Sequence, residues 1–214
     1  MKQTDFLFYA LVVLFSFACS GCFSVPNSPV PKFYTLHSTD SLGENKKLDI
    51  ASKLIIGIGP VEIPEYQNRP QIVTRDKDGL LTFAQFERWG ESLDSGLARL
   101  ILENLTAMFP QADFQIFPCN FSIPLDYQVI VNIVQLESRL DKDVFLMTQW
   151  TIIDSRTKKM LLTKRSEIRQ PINPHTYSGL AQALSKACIL LSGEIAQNLS
   201  KLSKQSEAKV IITQ

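Results

Sequence analysis

The spacing of apolar residues along this chain changes several times, and each change marks an element. Leu93, Leu97, Leu100, Ile101, Leu105 and Met108 recur three and four apart, which predicts an amphipathic helix over Glu91–Phe109. Pro110 stops it. A second stripe, Tyr177, Leu180, Leu184, Cys188, Leu191, Ile195, Leu199 and Leu202, predicts a long helix ending near residue 202. Asn173 is its expected N-cap, with Pro174 at the first helical position. Short apolar or alternating runs predict strands at Phe33–Leu36, Lys53–Ile63, Gln71–Arg75, Leu80–Phe83, Asp113–Phe117, Tyr127–Leu136, Val144–Ile153 and Lys159–Ile168. Asp76-Lys77-Asp78-Gly79 is a hairpin signal between two of them. Residues 37–52 read as a polar loop and 203–214 as a loose polar tail. Strands, helix, strands, helix predicts an α+β fold: a single domain over 33–202, a mixed β-sheet with two main helices packed on it.

The first 21 residues do not belong to that domain. They hold 14 apolar residues against two charges, Lys2 and Asp5, with an apolar core from Phe6 to Ala18 followed by small residues. That is the layout of an export signal peptide, 1–21. The longest unbroken apolar run, Phe6–Phe15, is half of the ~20 residues a spanning helix needs. Cys19-Ser20-Gly21-Cys22 resembles a bacterial lipobox, although Cys19 stands where Leu is usual. The resemblance implies cleavage before Cys22 and lipidation of its thiol (diacylglycerol, then palmitate on the new amino terminus). Phe23, in place of Asp, implies sorting to the outer membrane. Residues 22–32 carry Pro26, Pro29 and Pro31. They read as a semi-extended tether, reaching ~30 Å at ~3.1 Å per residue.

Composition narrows the function by exclusion. With 22 basic and 21 acidic residues the net charge is +1, which argues against nucleic acid as a partner. No serine sits in a G-x-S-x-G elbow. Gly57-Ile58-Gly59 is followed by Pro60 inside a strand, with no helix N-terminus to receive a phosphate. His37 and His175 lack neighbouring ligands at metal spacing. The chain is therefore expected to be no enzyme, with no cofactor and no metal. Cys119 and Cys188 would be the unmodified cysteines left after processing. As an exported pair they are a candidate disulfide, but a buried cysteine is equally a small hydrophobe.

Two segments carry a more specific likeness. One runs Gly59-Pro-Val-Glu-Ile-Pro64-Glu-Tyr66-Gln-Asn-Arg69-Pro70-Gln-Ile-Val-Thr-Arg75. The other runs Arg88-Trp89-Gly-Glu91-Ser-Leu93-Asp94-Ser-Gly-Leu97 through Asn104-Leu105. With Tyr34-Thr35-Leu36 after a proline-rich leader, they resemble the ABC-type transport auxiliary lipoproteins, the paraquat-inducible lipoprotein C group. Gln67 and Ser92 depart from the usual Leu and Pro. The resemblance implies a non-catalytic, outer-membrane-anchored periplasmic lipoprotein that partners an MCE-domain protein in lipid transport and can form a homo-oligomeric ring. Glu62, Glu65, Tyr66, Arg69, Arg75, Arg88 and Trp89 are the candidate partner-binding residues, being aromatic, arginine and acidic groups on a proline-stiffened segment. The same residues would equally brace the fold. The rival function is a lipoprotein that binds a lipid or small apolar ligand in its own groove.

Overall fold

The structure, a computed structural model, describes residues 29–38, 47–50, 53–118 and 124–212. The expected signal peptide, Cys22 and Cys119 lie outside the described residues. Every described element belongs to one compact unit, Pro31–Gln214.

Among the described residues, eight strands form two sheets. β2 (Ile55–Glu62), β5 (Asp113–Ile116), β6 (Tyr127–Ser138), β7 (Asp143–Asp154) and β8 (Met160–Pro171) make the larger one, in the order β5-β2-β6-β7-β8. It is mixed, as expected: β2 runs parallel to β5 and β6, while β6, β7 and β8 are antiparallel. The smaller sheet, β1 (Lys32–Tyr34), β4 (Leu81–Trp89) and β3 (Gln71–Arg75), takes the order β1-β4-β3. The α+β class therefore holds, with the single expected sheet divided in two.

Alternation along the long strands decides which face is covered. Val129, Val131, Leu146, Trp150 and Ile152 are buried, and register pairs Val131 with Trp150 and Val129 with Ile152 on one face. Helix α1 (Leu93–Met108) packs on β2 and β5, helix α2 (Tyr177–Ile212) packs on β7 and β8, and the helices touch each other. Both therefore cover that same face. The α1 stripe sits where its period puts it, with Leu97, Leu100, Ile101 and Leu105 at most 1% exposed. Truncating such a side chain to alanine typically costs ~2–5 kcal/mol.

Three local expectations need correction. Helix α2 starts at Tyr177, and Thr176 is the capping residue: its hydroxyl accepts the Gly179 N–H at 3.1 Å. Asn173-Pro174 lies before the cap. The helix also runs past Ser203 to Ile212, because Lys, Gln, Glu and Ala in that stretch propagate a helix already nucleated by packing. Finally, β4 extends through Trp89, past the strand end expected at Phe83, so Arg88-Trp89 closes a strand. The Asp-Gly hairpin forms as read. Asp76 Oδ1 accepts the Asp78 and Leu80 N–H groups at 3.0 and 2.8 Å, and Gly79 takes φ +89°.

Candidate partner-binding site

The proline-stiffened segment leaves β2 at Glu62, makes a single 3-10 turn over Glu65–Gln67 and enters β3. That turn is pinned to the end of β6. The Tyr66 hydroxyl and the Gln67 side-chain amide both donate to the Leu136 carbonyl, each at 3.0 Å. Gln67, the departure from the usual Leu, is only 3% exposed, and this hydrogen bond is what allows a buried amide there.

Beyond the turn, strand register gathers side chains on one face of the small sheet. Phe33, Arg88 and Gln71 stand side by side across β1, β4 and β3, while Phe83 pairs with Val73 and Leu81 with Arg75. Partners in register share a face, so Phe33, Arg88, Phe83 and Arg75 lie on the same one. Arg69 joins them: its guanidinium lies 4.2 Å above the Phe83 ring. Arg75 lies 5.9 Å from the Tyr66 ring and pairs with Glu137 at 3.4 Å, in a geometry that gives its Nε no hydrogen bond. The Nε atoms of Arg69, Arg75 and Arg88 are all buried without a hydrogen-bond partner among the described residues.

Four of the seven candidates therefore converge: Tyr66, Arg69, Arg75 and Arg88. Trp89 does not. It is 6% exposed and packs in the hydrophobic core from the opposite face, beside Tyr34, its register partner. Glu62 and Glu65 are exposed and make no ion pair among the described residues. Sequence reading missed Phe33 and Phe83, which are 65% and 45% exposed. Only the register reveals that both aromatics flank the arginines.

The second segment of the likeness is a brace. Arg99 reaches Glu91 at 2.5 Å, Glu103 at 2.8 Å and the Leu36 carbonyl at 2.8 Å, tying α1 to the chain after β1. The hydrogen bonds it donates to Glu91, then to Glu103, hold the guanidinium even more firmly charged than usual. Gly96 sits against the Glu91 side chain, where a Cβ would come within 3.3 Å of its carboxylate. On the other face of the small sheet Tyr34 donates to Glu87 at 2.5 Å; burial, then that bond, pushes its phenol up to about 12.

The remaining groups fill structural roles. A Cβ on Gly57 would meet Leu125 Cδ1 at 2.6 Å, and one on Gly59, at φ +120°, would meet the Phe117 carbonyl oxygen at 2.6 Å. Close packing thus accounts for both glycines. Cys188 is a free thiol with 0% exposure on the core side of α2. His37 and His175 are exposed. Among the described residues no three His, Cys, Asp or Glu side chains gather at metal spacing, and no helix is long and apolar enough to cross a membrane.

The architecture is that of an α+β domain with two helices on a mixed sheet and a small second sheet. The same fold occurs in the crystal structure of an uncharacterized protein, at TM-score 0.65 and 15% identity, covering 80% of this chain and 100% of that one. It also occurs in a protein from Xanthomonas campestris, at TM-score 0.62 and 11% identity, covering 85% of this chain and 98% of that one. Direct comparison with curated protein sequences finds no match. The chain belongs to the family of ABC-type transport auxiliary lipoprotein components, which matches over residues 34–196.

Proposed function

We propose that this lipoprotein is the non-catalytic adaptor of an MCE-type intermembrane lipid transport system, anchored in the outer membrane with its domain on the periplasmic side. The observation that carries the reading is the family match over residues 34–196, which spans both sheets and most of α2. Cys22 is the lipidated residue in this reading, and the proline-rich stretch before β1 is the tether that lets a folded domain reach a partner. The face built from Tyr66, Arg69, Arg75 and Arg88 supports contact as the mode of action. Arginine and aromatic side chains are the groups most often decisive at interfaces. The homo-oligomeric ring implied by the family likeness is part of the same proposal, and the mass of the detergent-solubilised particle tests it.

The rival reading, a ligand held in the protein's own groove, has a candidate location among the described residues. A cavity of about 510 Å³ runs between β8 and α2, lined by Ile168, Ile189 and Leu190 but also by Glu167, Arg169 and Glu194. Three charged residues in so small a lining suit an acyl chain poorly.

Affinity capture of the full chain from detergent-solubilised envelopes tests the adaptor reading. The expected result is recovery of the organism's own MCE-domain protein. Recovery of lipid alone, with no envelope protein, would support the groove instead. Cys22→Ala tests the anchor: the protein should lose membrane retention yet melt at the same temperature.

A further inference from the structure

The arginine face carries charge that is only partly neutralised among the described residues. Arg75 has Glu137 at 3.4 Å. The side chains of Arg69 and Arg88 make neither a hydrogen bond nor an ion pair among the described residues, although both residues are half-buried and both Nε atoms are fully shielded. Leaving a buried donor without a partner is destabilising. Two guanidiniums held without a counter-charge among the described residues, beside one face of the small sheet, form a site for an anionic group. The terminal guanidinium nitrogens are not among the shielded atoms, so each arginine offers its outer edge. That edge matches a planar, two-oxygen acceptor.

Phe33 and Phe83 define the second half of the site. Phe33 is 65% exposed and is the register partner of Arg88; Phe83 is 45% exposed and lies beneath the Arg69 guanidinium at 4.2 Å. An occupant must therefore bring acidic groups and an apolar group together. Arg69 set over the Phe83 ring and both arginines half-buried are held by packing, which suits a fixed protein carboxylate. A lipid surface takes flexible cations that reach out to it. The nearby lysine, Lys32, is turned to the opposite face, where it pairs with Glu87 at 3.6 Å.

We propose that the face formed by Phe33, Phe83, Arg69 and Arg88 is the docking site for an acidic segment of the MCE-domain partner, with carboxylates on the two arginines and an apolar side chain over the two phenylalanines. This rests on the adaptor reading above and names the chemistry of the partner's contact. It makes binding salt-sensitive and makes lysine a poor replacement for either arginine.

The test uses the full chain in detergent, as wild type, Arg69→Gln, Arg88→Gln, the double variant, Arg69→Lys, and Lys186→Gln as an exposed control on α2. Capture of the organism's own MCE-domain protein is read together with the melting temperature. The double variant should lose about tenfold or more of the captured partner at unchanged melting, Arg69→Lys should recover little of the Arg69→Gln loss, and Lys186→Gln should match wild type. Equal capture by wild type and the double variant would overturn the docking site while leaving the adaptor reading intact.

A second measurement separates the two failures. The shielded Arg69 and Arg88 Nε–H groups are followed by NMR while a synthetic peptide of alternating aspartate and phenylalanine, or phosphatidylglycerol vesicles, is added. Shifts with the peptide and none with vesicles are expected. Those shifts would uphold the site's chemistry even if capture by the wild type failed. Shifts with vesicles only would overturn it in favour of a lipid surface, and shifts with neither would overturn it outright.

Discussion

Cys188 shows how burial alone can retire a reactive group. It lies on the α2 stripe at 0% exposure, and desolvation pushes its thiol from 9.0 up to about 12. Tyr34 moves the same way, from 10.0 to about 12, through burial and then its bond to Glu87. Both folded values lie above the unfolded ones, so both contributions are complete below about pH 9 and are lost as pH climbs through about 12. Denaturant midpoints measured from pH 8 upward should therefore fall more steeply for wild type than for Cys188→Ala combined with Tyr34→Phe. Parallel curves would contradict the assignment. At neutral pH, iodoacetamide should label Cys188 only as fast as the protein unfolds, and dithiothreitol should leave melting unchanged. A drop in melting on reduction would revive the bridge to Cys119.

Elements divide the candidate residues into those that hold the segment and those that present it. Tyr66 belongs to the first group, because it and Gln67 fasten the 3-10 turn to the Leu136 carbonyl. Tyr66→Ala should cost about 1–3 kcal/mol of stability, read from denaturant unfolding. Arg69→Ala should cost under about 1 kcal/mol, the scale of a partly exposed cation–π contact. Equal losses would erase the distinction. At the start of α2, Thr176→Ala should cost about 1 kcal/mol, whereas Asn173→Ala should cost almost nothing. The helical stripes, the long strands and the Asp-Gly turn were all legible in the sequence, because each is written in local spacing. The split into two sheets was not. It depends on β4 pairing with both β1 and β3, and the register shift between Gln71 and Val73 breaks the alternation that would have revealed the strand through Trp89. The same irregularity concealed Phe83 and made Trp89 read as a surface candidate. Tyr66, Arg69, Arg75 and Arg88 were legible as a set by residue type alone, but their convergence on one face is a property of pairing.

For the whole molecule, the two helices and five-stranded sheet act as a support, and the small sheet is where the unpartnered arginine Nε groups collect. A domain of this family needs no turnover to do its work if its purpose is to hold a partner at the membrane. The central claim is that contact runs through the small sheet, and crosslinking in intact cells tests it most directly. A photoreactive benzoyl-phenylalanine is placed at Phe33, at Phe83, or at Met160, an exposed residue on edge strand β8 of the other sheet. Irradiation should join the MCE-domain protein to the chain at Phe33 and Phe83 and leave Met160 without that product. Crosslinks to the MCE-domain protein from Met160 alone, with none from either phenylalanine, would contradict the account.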